Sequence, residues 1–252
     1  MFSLAAIGIL AACITQTTHE VLGHSIACIV SGGKVTTLSA AFFRCDADNA
    51  IINASGPTAN LVLGAIALAV LSLGRAKSTA MALFLLMLAS FNLLLGAGSL
   101  IYSGLLNIDD WSAAARDIGA PANWRIGAVV SGALLYVFTV WGIASQATRI
   151  DRRMRTSAGF TRMIRAPYIA GTAAIFLACA LNSATPLAAA LQGLLEIGVS
   201  SLGLLRINRP NISTNVTAVL PITTLLRFSP LLVIASLAVL AVFALTLGRG
   251  VV

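Results

Sequence analysis

The chain has 252 residues, 58% of them hydrophobic and only 10% charged, with a mean hydropathy of +0.95. That composition argues against a soluble domain or a disordered chain and indicates an all-α polytopic membrane protein, because one bilayer span takes about 20 mostly apolar residues and several such runs are present. The net charge of +8 comes mainly from loop arginines, which points to a cytoplasmic face and anionic lipid, not to nucleic acid.

The first apolar run covers residues 2–31 and contains Thr18-His19-Glu20-Val21-Leu22-Gly23-His24, which holds both histidines of the chain. This stretch is matched to the His-Glu-x-x-His motif of zinc peptidases, in which two imidazoles stand one above the other on an α-helix and the glutamate is the general base. The expectation is therefore that His19 and His24 bind metal and that Glu20 is catalytic. A helix-packing role for the histidines is the bland alternative. It is disfavoured because ionisable groups within a bilayer are costly and mark functional sites.

Residues 34–44 follow Gly32-Gly33 and are partly β-branched or aromatic, so a small hairpin at the membrane surface is expected. The second run, 50–74, opens with Asn53-Ala54-Ser55-Gly56-Pro57-Thr58-Ala59-Asn60. Its small residues allow close helix approach in lipid. The third run, 79–106, has Asn92 inside it and leads into Asp109-Asp110-Trp111. Either aspartate could cap a helix starting at Trp111, and the other could serve a metal. A fourth run covers 124–147, and the arginine-rich stretch 149–165 follows.

Residues 167–205 read as two short spans or a re-entrant pair broken at Asn182–Pro186, with Gln192 and Glu196 facing a bundle interior. Glu196 is read as a packing or hydrogen-bonding residue before a site residue. Polar residues 206–227 carry sequons at Asn211 and Asn215, and a last run covers 229–248. The cysteines, Cys13, Cys28, Cys45 and Cys179, show no C-x-x-C spacing. Three lie in apolar runs, where cysteine is usually a small packing residue, so no disulfide framework is expected. The N-terminus lacks the basic region of a signal peptide.

On a seven-span count, one side holds eleven basic residues: Arg75, Lys77, the six arginines of 149–165, Arg206, Arg209 and Arg227. The other side holds five: Lys34, Arg44, Arg116, Arg125 and Arg249. The richer side is expected to be cytoplasmic, with the N-terminus starting inside.

Three features occur in order: the His19-Glu20…His24 stretch, Gly56-Pro57-x-x-Asn60, and an aspartate closing the third run. Together they resemble the compact branch of the site-2 protease family of intramembrane zinc metallopeptidases, over roughly residues 10–115. The resemblance implies a three-helix catalytic core within 1–120. Three or four accessory transmembrane helices would follow in 121–252. It also implies Zn²⁺ held by His19, His24 and an aspartate. Asp110 is the choice and Asp109 the alternative.

Phe91-Asn92-Leu93-Leu94 lacks a proline usual in the family, and Asp109-Asp110-Trp111 replaces its Asp-Gly. No substrate-binding PDZ domain is visible. Well-known relatives carry the loop after the first span on the cytoplasmic side, opposite to the charge count here. The expected activity is hydrolysis of peptide bonds within or beside transmembrane segments of membrane-protein substrates. Asn60 or Asn92 would bind freed substrate backbone, and residues 33–44 would hold substrate as an added strand. The alternatives are a metal-handling transporter, or a non-cleaving protein of the same fold that binds partners.

Overall fold

A computed structural model describes residues 1–47, 49–154, 159–208 and 229–251. Arg155, Arg209, Arg227 and the sequons at Asn211 and Asn215 lie outside the described residues. Within them the chain is helical apart from one small sheet. Helix α1 is Phe2–Val30, followed by strands β1 (Val35–Leu38) and β2 (Phe43–Cys45), which pair antiparallel. Next come α2 (Ala50–Ser72), α3 (Thr79–Leu106), α4 (Asp109–Asp117), α5 (Trp124–Met154) and α6 (Phe160–Cys179). The last helices are α7 (Pro186–Val199), with a 3₁₀ turn Leu202–Arg206 after it, and α8 (Pro230–Gly248).

Five of these helices, α1, α2, α3, α5 and α8, are long and apolar enough to cross a membrane. This is the composition and helix length of a membrane protein. The 167–205 region forms a helical hairpin, α6 and α7, turning at Asn182–Thr185 as expected. The α7 arm is too short to span by itself.

Local sequence sets the helix ends. Asn49 Oδ1 accepts from the amides of Ile51 and Ile52 at the start of α2. Ser78 and Ser229 cap α3 and α8 in the same way. Asn107, in the left-handed region at φ 57°, ends α3. Helix α4 starts at Asp109, not Trp111, and neither aspartate caps it; Ile108 stands at the cap. Both aspartates instead occupy the first turn, where the helix dipole favours negative charge.

Helix α3 is the central element: Leu86, Met87, Phe91, Leu94 and Leu95 are fully buried. Helices α5 and α8 present Phe138, Trp141, Leu231 and Ile234 outward, as lipid-facing helices would. Small residues let the helices meet closely. Gly8 of α1 lies against Pro167 of α6, Gly64 of α2 against Leu93, and Gly98 of α3 against Ser200.

Contacts between segments define two ends of the bundle. At one end Gln146 donates to Ser72, Arg165 to the Leu205 carbonyl, and the Ser229 amide to Ser3. At the other end Arg125 donates to the Gly104 and Leu105 carbonyls, and Asn53 to Asp117. The same end holds the hairpin. There the Ala40 amide donates to Leu247 and the Val251 amide to Leu38, so the last described residues cover the open side of β1.

One expectation fails outright. Cys28 and Cys45 form a disulfide that ties β2 to the end of α1; only Cys13 and Cys179 are free. The pairing was invisible in the sequence because the hairpin, not a spacing motif, brings Cys45 back to α1.

Candidate metal centre

His19 and His24 are five positions apart, one more than in the His-Glu-x-x-His motif, so the expected i, i+4 register does not apply. Five positions along an α-helix would leave the imidazoles about 140° apart. The helix resolves this by changing its winding: Thr18–Ser25 is π-helical within α1. Hydrogen bonds from i to i+5 bring a residue five positions on back to the same face, and such segments occur mostly at functional sites. The two Nε2 atoms consequently lie 3.3 Å apart.

Asp110, delivered by the first turn of α4, completes the group. Its Oδ2 is 3.0 Å from His19 Nε2 and its Oδ1 3.3 Å from His24 Nε2. Among the described residues, His19, His24 and Asp110 are the group whose ligand atoms converge closely enough, all within 4.8 Å, to hold one metal ion. Asp109 lines the same cavity without joining that group. It adopts φ 72°, an uncommon backbone conformation for a non-glycine residue.

The surroundings decide which ring nitrogens face the centre. His24 Nδ1 is 2.7 Å from the Ile52 carbonyl, which can only accept, so Nδ1 carries the proton. His19 Nδ1 is 2.7 Å from Asn60 Oδ1. The Asn60 amide nitrogen donates to the Thr15 carbonyl and to Asn92 Oδ1, which fixes Oδ1 as the acceptor. Both Nε2 lone pairs therefore point at each other and at a carboxylate. Such an arrangement of acceptors needs a cation between them, whether protons or a metal, and outer hydrogen bonds of this kind orient metal-binding imidazoles.

This also explains Gly56. A Cβ there would lie 2.7 and 2.8 Å from His24 ring carbons and closer still to Nε2, while a Cβ on Gly23 would strike the Gly56 backbone. Pro57 sits within α2 without ending it.

Asn60 and Asn92 are placed differently from the expectation that they bind substrate. Both are fully buried and absent from the cavity wall. Asn92 Nδ2 donates to Thr15 Oγ1 and the Leu88 carbonyl. With their amides engaged, they form a buttress behind His19.

The cavity itself measures about 210 Å³ and is lined by Glu20, Asn53, Gln192 and Glu196 besides the three candidate ligands. Phe43 of β2 stacks on the His24 ring, centroids 5.1 Å apart. Glu20 is buried, and its Oε2 has no hydrogen-bond partner among the described residues. A buried carboxylate oxygen in that condition is costly and suits a group that meets water or substrate.

Glu196, which lines the cavity, and Gln16, which holds it from behind, were undervalued in the sequence. Glu196 accepts from Gln192 Nε2 at 2.7 Å and from Gln16 Nε2. The same Gln16 nitrogen donates to the Ala40 carbonyl at 2.7 Å. Helix α7 thus supplies a wall of the cavity, which is not confined to residues 1–120. The available signal was the polar pair Thr15-Gln16 one turn before His19 in an apolar run.

Outside the spans, burial pushes the Asp109 carboxyl up to about 6, and the Asp110 charge beside it adds to that. Burial would raise Asp110 too. With the two imidazoles protonated, the charge on His24 and the hydrogen bonds from both rings outweigh it and hold Asp110 below the usual carboxylate range. The ligand candidate is thus the aspartate favoured in its charged form.

No protein-family model matches the chain, and no curated protein and no solved structure matches it.

Proposed function

We propose that the protein is an intramembrane zinc metallopeptidase resembling the site-2 protease family, which hydrolyses peptide bonds within or next to transmembrane segments of membrane proteins. The observation that carries this reading is the convergence of two Nε2 lone pairs and one carboxylate beside a buried glutamate. The closest donor separations are 3.0–3.3 Å, with a different Asp110 oxygen nearest each imidazole, close to the about 3.4 Å between ligands that each stand about 2.1 Å from a tetrahedral zinc ion. Two imidazoles and one carboxylate also leave a position for water, as in catalytic zinc sites.

Bound zinc would supply Lewis-acid polarisation of the scissile carbonyl and a lowered pKa for water. Glu20 takes the proton of the attacking water and passes it to the leaving amine. With their Nδ1 protons held by Asn60 and Ile52, His19 and His24 would present Nε2 to the metal. Substrate must unwind to expose a peptide bond. The Val251 amide already bonds to Leu38 of β1, which leaves β2, next to His24, as the strand for substrate to join. A transporter is less well supported, because Thr15, Asn60 and Asn92 fill the space behind His19 with mutual hydrogen bonds.

The test is Glu20→Gln in the full chain, in detergent or lipid. Cleavage of a membrane substrate should stop while one zinc per chain remains bound. Absence of zinc from both this variant and the wild type defeats the reading, as does unchanged cleavage.

A further inference from the structure

We infer that the metal centre opens on the non-cytoplasmic, oxidising side of the membrane. Its substrates would then be membrane proteins that present an unwound segment at the outer end of a transmembrane helix. The statement about substrates rests on the peptidase reading; the orientation does not.

Two independent observations carry the orientation. The first is the Cys28–Cys45 disulfide. It lies four residues beyond His24 and two beyond Phe43, at the end of the bundle where the cavity is. Disulfides form and persist in oxidising compartments and are rare in the cytosol.

The second is charge. Arg75 and Lys77, Arg149 and Arg152, Arg162 and Arg165, and Arg206, with Asp151 among them, all lie at the end defined by the Gln146–Ser72 and Arg165–Leu205 contacts. The opposite end mixes Lys34, Arg44, Arg116, Arg125 and Arg249 with Asp46, Asp109, Asp110 and Asp117. An excess of arginine and lysine marks the cytoplasmic side. Redox chemistry and charge asymmetry have no common cause, yet both set the same face outside. That face is opposite to the one used by the well-known relatives of the resembling family.

The site is shallow from that face. His24 is level with the carbonyl of Ile52, the third residue of α2, so it sits within about 10 Å of that helix end at 1.5 Å per residue. The disulfide also fastens β2 to α1 where Phe43 stacks on His24. The proposed substrate strand is thereby anchored by a bond that only an oxidising compartment maintains.

The experiment uses the full chain in intact cells. Lys77→Cys and Ile118→Cys place thiols at exposed positions of opposite ends, while native Cys13 and Cys179 are buried. A membrane-impermeant maleimide should label Ile118→Cys, and Lys77→Cys only after permeabilisation. In the unsubstituted protein, alkylation without reductant should leave Cys28 and Cys45 linked. Labelling of Lys77→Cys from outside, or free Cys28 and Cys45 thiols in intact cells, overturns the orientation.

A second arm tests the substrate class with single-span reporters whose helix is broken by Asn-Pro at the outer or the inner end. Cleavage of the outer-broken reporter alone is expected. Cleavage of the inner-broken one alone overturns the orientation. If neither is cut while the labelling is as expected, the peptidase reading falls and the orientation stands.

Discussion

Substituting Gly56→Ala adds one methyl group at the point where α2 crosses the π-helical segment. The new Cβ would lie 2.7 and 2.8 Å from two His24 ring carbons, against an ordinary contact of 3.4 Å or more. The imidazole must move by at least about 0.6 Å, whereas metal–ligand distances tolerate only about 0.2 Å. It cannot simply slide, because Nδ1 is held by Ile52 and Phe43 covers one ring face. One ligand should be lost or badly placed, and zinc affinity should fall by at least about 100-fold, the upper end of what indirect disturbance of a ligand costs.

Gly64→Ala is the control. Its Cβ would press on Leu93, 2.7 Å away, between the same helix and α3, but touches no ligand. It should cost about 1–3 kcal/mol of stability through overpacking and leave zinc affinity unchanged. The assay is chelator competition on purified protein, with thermal unfolding in parallel. Wild-type zinc affinity in Gly56→Ala, in protein shown to be folded, would mean that His24 is not a ligand.

Further outcomes follow from the same geometry. Asn60→Leu removes the acceptor that fixes the His19 tautomer, and zinc affinity should drop about 10–100-fold; exposed Thr58→Ala, two residues earlier, should leave it alone, and equal loss in both would contradict the orienting role. Asp110→Asn should abolish zinc binding in the same competition assay. Asp109→Asn should retain most of it, and the reverse pattern would make Asp109 the ligand. Glu196→Gln leaves one acceptor oxygen where two amides now donate. Hydrogen exchange across Ser39–Phe43 should quicken on the order of tenfold, the worth of a buried hydrogen bond to a charged group, with zinc content preserved. Unchanged exchange would remove Glu196 as the anchor of the hairpin.

The sequence by itself determined what depends on local order. Long apolar runs read directly as α1, α2, α3, α5 and α8 because hydropathy is a property of each segment. The rare ionisable residues within those runs singled out His19, Glu20 and His24, since lipid makes each of them costly. An aspartate just past the third run was visible, but the residues alone left Asp109 and Asp110 open and only the family resemblance put Asp110 first.

Only the tertiary structure decided how these parts meet. The five-residue histidine spacing works because α1 winds as a π-helix where Gly23 and Gly56 let α2 press in, and a winding change of that kind cannot be read from spacing. Asn60 and Asn92 were visible as polar residues in apolar helices. Whether they faced substrate or the back of His19 depended on which helix faces packed together. Cys45 reached Cys28, and Glu196 reached Gln16, through a hairpin and a helical turn that bring distant segments back to α1. Those partners were chosen by packing in three dimensions, and no local pattern along the chain encodes them.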